Sequence, residues 1–132
     1  SRSRIVETYL VRDVKVDFVD YPYAWLADAA ETEGVVLAAM TDIAPMKLEA
    51  ITGRGRKKDF IDLAFLLERY PLDKMLSWYR DKYPRGSEYL VMRSLVYFND
   101  AEDEPMPVML KPLNWETAKE RIRVAVRRKA SE

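Results

Sequence analysis

The sequence predicts an α+β fold: a short antiparallel or mixed sheet packed with a helical C-terminal region. Three observations carry that expectation. Residues 1–40 hold two runs rich in β-branched and aromatic side chains, the apolar spacing becomes helical from Thr41 onward, and prolines, glycines and capping residues cut the remainder into helix-length pieces. The 132 residues fit a single domain, 1–132, strand-rich over 1–40 and helical over 41–132. A chain of this length is expected to bury about two-thirds of the surface its unfolded form exposes, so a core needs no covalent staple.

The strand-like runs are Ile5 to Val11 and Val14 to Tyr21. In the second, Val14, Val16 and Phe18 alternate with Lys15, Asp17 and Val19, the period of a half-buried strand. Arg12-Asp13 is placed to close a hairpin, although a primed turn prefers Gly or Asn. Val35 to Ala38 reads as a short edge strand. Thr41 or Asp42 caps a first helix to about Arg54, and Lys57 or Lys58 starts a second with Phe60, Leu63, Ala64 and Leu67 on one face. Pro71 opens a third, Leu72 to Tyr83, stopped by Pro84. Ser87 caps a fourth to about Phe98, and Asn114 caps a fifth from Trp115 to Lys129. Between these last two, "NDAEDEPMPVMLKPLN" is acidic and holds three prolines, an extended loop. Phe60, Phe65, Trp78 and Tyr97 are the expected buried aromatics.

Composition narrows the chemistry. The chain has no cysteine and no histidine, which removes disulfide frameworks, thiolate sites and imidazole-based catalysis or zinc binding. Carboxylates, lysines, arginines and hydroxyls remain. With 22 basic and 22 acidic residues the net charge is zero, which argues against wrapping nucleic acid by bulk charge. No apolar run approaches the length of a membrane span and no signal peptide is visible, so a cytoplasmic protein without a membrane partner is expected.

The stretch "KLEAITGRGRKKDFIDL", Lys47 to Leu63, is where chemistry concentrates: four cations fall within five residues beside Gly53 and Gly55. Residues seven apart on a helix return to nearly the same face, about 10 Å further along, so Lys47 and Arg54 are spaced to span nucleotide phosphates. Glycines let backbone N–H groups approach an anion. Asp59 and Asp62, three apart, and Lys58, four before Asp62, are placed to orient those cations or a metal. An ordinary corner explains the same residues: cations suit a helix C-terminus, Gly55 suits a left-handed cap, and Lys58 with Asp62 is a common surface pair. Asp17 is similarly double. On the strand face opposite Val14, Val16 and Phe18 it either meets solvent or serves as a carboxylate for Mg²⁺, an ion that takes oxygen ligands and bridges phosphates.

Three segments in order, "VKVDFVDYPY" (Val14 to Tyr23), "DIAPMKLEAITGRGRKKDFIDLAFLL" (Asp42 to Leu67) and "SLVYFNDAEDEPMPVMLKP" (Ser94 to Pro112), resemble the later part of the nucleotidyltransferase AbiEii/AbiGii toxin family. That family belongs to the DNA polymerase β superfamily and acts in abortive-infection toxin–antitoxin systems. The resemblance implies a partial nucleotidyltransferase core over the strand-rich part, and transfer of a nucleotidyl group from an NTP, GTP among the candidates, to a hydroxyl of RNA or protein. It implies Mg²⁺ as cofactor and a cognate antitoxin as partner. Residue by residue, it makes Asp17 the third catalytic carboxylate and metal ligand, and places Lys47, Arg54, Lys58, Asp59 and Asp62 around the nucleotide, so that Asp17, Lys47 and Asp62 are expected to converge.

The sequence also departs from that pattern. The 13 residues before Val14 contain neither the Gly-Gly-Ser/Thr turn nor the Asp-x-Asp pair of the family's first motif. Gly86-Ser87 followed by Asp100-Ala101-Glu102 mimics the spacing but comes after the Lys47 segment and reads as loop. Two metal ions cannot be held by one carboxylate. Two functions therefore stand beside each other: a nucleotidyltransferase of which this chain carries the Asp17 and Lys47 part, and a truncated or degenerate relative that keeps the helices as a binding module. Generic nucleic-acid binding is a weaker third, because no strand interleaves aromatics with cations.

Overall fold

The computed structural model describes residues 9–11, 14–16, 29–109 and 111–132. Two three-residue strands, β1 (Tyr9–Val11) and β2 (Val14–Val16), pair antiparallel with Tyr9 opposite Val16 and Val11 opposite Val14. Five helices follow: α1 (Ala29–Arg54), α2 (Lys57–Leu66), α3 (Leu72–Lys82), α4 (Glu88–Leu95) and α5 (Trp115–Ala130), with a 3-10 turn at Asn99–Ala101. This corrects the α+β expectation. The fold among the described residues is helical, and the paired strands form a small ribbon rather than a sheet layer of the core.

The largest departure is the length of α1. Val35 to Ala38, expected as an edge strand, lies inside it, and Thr41 and Asp42 are mid-helix rather than caps. A short apolar run such as Val35-Val36-Leu37-Ala38 does not distinguish strand from helix by periodicity, and here the alanines and glutamates at 29–33 extend the helical side. Pro45 sits within α1, where its ring removes one backbone hydrogen bond. The helix nevertheless presents an unbroken apolar stripe, Met40, Ile43, Ala44, Leu48 and Ile51, at the i, i+3, i+4 spacing.

The later boundaries follow local chemistry. Pro71 is the N-cap of α3. Ser87 Oγ accepts from the Leu90 N–H at 3.1 Å to start α4, and Asn114 Oδ1 accepts from the Thr117 N–H at 2.7 Å to start α5. Arg127, Arg128 and Lys129 fill the last turn of α5, where cations favour the helix dipole.

Helix α2 is the centre. It packs between α1 and α5, while α3 and α4 each touch both of those outer helices. Every residue of α2 except Lys58 is buried, so it has no solvent face on which to park its charges. Phe60 anchors an edge-to-face trio with Phe98, at 4.9 Å between ring centroids, and Trp115, at 6.0 Å. Phe60 and Phe65 are buried as expected. Trp78 is only half-buried and Tyr97, expected in the core, is 54% exposed.

Gly55, between α1 and α2, has a packing role. A Cβ built there would lie 2.6 Å from Phe60 Cζ, whereas one at Gly53 would meet nothing within 4 Å. Gly55 does not adopt the left-handed backbone that the sequence suggested; it leaves room for the ring. Phe60→Ala should therefore cost about 3–5 kcal/mol in denaturant unfolding. Gly55→Ala should destabilise and the exposed Gly53→Ala should not; equal effects of the two glycine substitutions would contradict this account of the corner.

Candidate functional site

Three of the charged residues singled out in the sequence meet inside the protein. Lys47 projects from the buried stripe of α1 toward α2, and Asp59 and Asp62, three apart, present their carboxylates on the same side of α2. Lys47 Nζ lies 2.9 Å from Asp59 Oδ1 and 3.0 Å from Asp62 Oδ2. The three side chains are 7%, 9% and 2% exposed. Asp59 also sits at the third position of α2, where its Oδ2 accepts from the Arg56 N–H at 3.3 Å. It thus caps the helix and binds the lysine at once.

The two carboxylates are not equivalent. Asp59 Oδ1 accepts a directed hydrogen bond from Lys47. The contact to Asp62 is as short but poorly aligned, so the buried Asp62 Oδ2 is the more weakly satisfied of the two oxygens facing Lys47. Burial drives the Asp62 carboxyl up to about 7; attraction to Lys47 opposes that shift and the Asp59 charge adds to it. Burial works against the charge of Lys47, yet the two carboxylates outweigh it and hold its pKa above the ordinary lysine value. Below about pH 7 Asp62 is neutral beside the Lys47–Asp59 ion pair; above it Asp62 ionises, and its buried charge is offset only by Lys47, which it shares with Asp59, and by Lys58.

The other sequence candidates are placed differently. Asp17 lies outside the described residues. Lys58 is the half-buried member of α2, and its charge lowers the Asp62 pKa. Arg54, seven residues after Lys47, is exposed at the end of α1 and faces a separate cleft of about 300 Å³, walled by Gly53, Gly55, Arg93, Ser94 and Tyr97. Lys47 and Arg54 therefore do not act on one surface: the first is sealed under α2, the second opens outward beside α4.

The mimic of the first motif is structural. Ala101 is buried, Glu102 accepts from Lys119 Nζ at 2.9 Å and from Trp115 Nε1 at 2.8 Å, and Glu104 accepts from the Lys57 N–H at 2.6 Å. That loop ties the start of α2 to α5. As for Mg²⁺, no group of three or more carboxylates gathers among the described residues, and Asp59 and Asp62 are both engaged by Lys47. The described residues do not by themselves fit the ion.

Comparison with known proteins adds one relative. No protein family's profile matches the chain, and no solved structure matches it. A protein of Aquifex aeolicus (strain VF5), itself described as uncharacterized, is 36% identical over 107 residues, which is 78% of this chain. The match covers 52% of that protein, so the chain spans about half the length of the relative. Among the described residues, no helix is long and apolar enough to cross a membrane.

Sequence reasoning missed Arg93 as a partner to Arg54 and assigned Tyr97 to the core. The available signal for Arg93 was its spacing four residues after Tyr89, on a face of α4 other than that of the buried Val91 and Leu95.

The unequal acids give a pH signature. Because the folded-state value of Asp62 lies above 3.8, the folded protein binds more protons than the unfolded chain between about pH 4 and 7. The contribution of this group is fully present below that window and is lost as pH rises through about 7. Urea unfolding at steps from pH 4 to 8 should show wild type losing stability relative to Asp62→Asn as pH rises. Parallel profiles would contradict the assignment. Lys47→Met, which leaves two buried carboxylates without their cation, should cost about 3–5 kcal/mol at neutral pH.

Proposed function

We propose that this chain is the helical, nucleotide-facing part of a nucleotidyltransferase of the AbiEii/AbiGii toxin type, whose parent protein works in the cytoplasm under the control of a cognate antitoxin. The observation that supports the reading most is the meeting of Lys47, Asp59 and Asp62 in one buried cluster, since these positions, 12 and 15 residues apart in sequence, are the ones the resemblance assigns to nucleotide binding. The carboxyl pushed up to about 7 supports it further, because perturbed acids concentrate at functional sites.

In this reading the oxygen of an RNA or protein hydroxyl attacks the α-phosphorus of an NTP, GTP among the candidates. The bond from that phosphorus to the β-phosphate oxygen breaks, pyrophosphate leaves, and the hydroxyl proton passes to Asp17. Lys58, half-buried on α2, is the cation of this segment placed toward the phosphates, and the Lys47–Asp59–Asp62 cluster fixes α2 against α1 beneath it. Asp17, with carboxylates outside the described residues, would hold Mg²⁺, and the ion would offset phosphate charge.

A second reading, an interaction module without chemistry, draws on the same cluster. Lys47 is 6% exposed and already faces two carboxylates, as a lysine with a purely structural task would. Labelled NTPs, Mg²⁺ and RNA separate the two. The 132 residues alone should give no transfer above background, and the complete product of the gene should transfer label in a way that Asp17→Asn abolishes. Absence of transfer by the complete product with all four NTPs, or transfer indifferent to Asp17→Asn, would overturn the enzymatic reading.

A further inference from the structure

The cleft beside α4 is chemically unlike the rest of the surface. Arg54 and Arg93 both line it, and among the described residues neither lies within ion-pairing distance of a carboxylate. Many cations of the described surface, among them Arg80, Lys82, Lys111, Lys119, Arg121 and Lys129, are ion-paired, whereas this cleft brings two arginines without ion pairs into one lining. Gly53 and Gly55 contribute bare backbone to the wall, Ser94 contributes a hydroxyl, and Asp100 is the single acid of the lining. The volume of about 300 Å³ suits a phosphate with its sugar.

The flank of this cleft is aromatic. Tyr97 lines it and is 54% exposed, and Tyr89, one helical turn before Arg93, is 70% exposed with the Arg93 guanidinium 5.8 Å from its ring centre. Exposed tyrosines on either side of an arginine offer flat faces for unpaired bases with a cation between them for the backbone. The inner face of the same helix is fully engaged, with Val91 and Leu95 buried, so these outer side chains do not serve the core.

We propose that the Arg54–Arg93 cleft and the flanking Tyr97 and Tyr89 bind single-stranded RNA, a backbone phosphate between the arginines and bases stacked on the tyrosines. The RNA would be the acceptor in the proposed transfer, so the biological purpose rests on that reading, while the binding itself does not. The assignment moves Arg54 from the triphosphate to the acceptor.

Fluorescence anisotropy with a labelled ten-nucleotide single-stranded RNA and the 132-residue protein, without NTP or Mg²⁺, tests this independently of any transfer. Wild type should bind with an affinity that falls as salt rises. Tyr97→Ala should weaken binding about tenfold. Arg54→Ala/Arg93→Ala should weaken it and reduce the magnitude of the log–log salt slope by about 0.7, the share of one phosphate on a single strand. All three side chains project from the surface, and unchanged thermal unfolding will show that the variants remain folded. No binding by wild type, equal binding by the variants, or equal competition by a duplex of the same length would overturn the proposal. Absence of transfer by the complete gene product, with RNA binding by the 132 residues intact, would count against the enzymatic reading and leave this one standing.

Discussion

A helix buried on every side must either be wholly apolar or carry its own neutralising partners. Helix α2 takes the second course: all its residues but Lys58 are buried, and two of them are aspartates. Both carboxylates are largely withdrawn from water, Asp62 almost wholly, so a cation has to come to them, and Lys47 arrives from α1. That requirement fixes the rotation of α2 about its axis and its position along α1. Once these are set, Phe60 is directed at Phe98 and Trp115, and the close approach of its ring is what leaves room only for glycine at position 55.

The start of α2 is held by a second set of charges. The Lys57 N–H donates to Glu104, the Lys57 ammonium donates to the Glu102 carbonyl at 3.0 Å, and the Glu102 carboxylate accepts from Lys119 of α5. The acidic loop is thus a clasp across the helix start, with the Lys57 ammonium also 4.9 Å from the Trp115 ring centre. Lys57 and Lys119 also lie against the Trp115 ring, so replacing them changes packing as well as charge. Among the described residues, the pairs Arg80–Glu88, Lys111–Glu68 and Arg127–Glu120 outside these clusters are at least partly exposed and contribute little each.

What the sequence revealed depended on whether the signal was local. Ser87 and Asn114 marked helix starts because a capping oxygen acts within three residues, and Pro71 did so because its ring restricts its own backbone. The run Val35 to Ala38 carried no such mark, and its helical state was set by the long continuation of α1 on both sides. The meeting of Lys47 with Asp62 was expected from a family resemblance, whereas the residues alone allowed a surface pair of Lys58 with Asp62 equally well. Which lysine Asp62 faces depends on the packing of α1 on α2, a tertiary choice that spacing along one helix does not contain. Tyr97 was misplaced for the same reason: it lies just beyond α4, where one residue of shift turns a core position outward.

The account depends on Asp62 being the acid that pays for the excess negative charge of the cluster. The carbon-13 chemical shift of its side-chain carboxyl, followed by NMR from pH 3 to 9 in the folded protein and assigned by comparison with Asp62→Asn, measures this directly. Titration centred near pH 7 is the predicted result. A midpoint near the ordinary aspartate value of 3.8 would show that Lys47 and solvent stabilise both carboxylates fully, and that the buried triad does not impose the constraint on which the arrangement of α1 and α2 is argued.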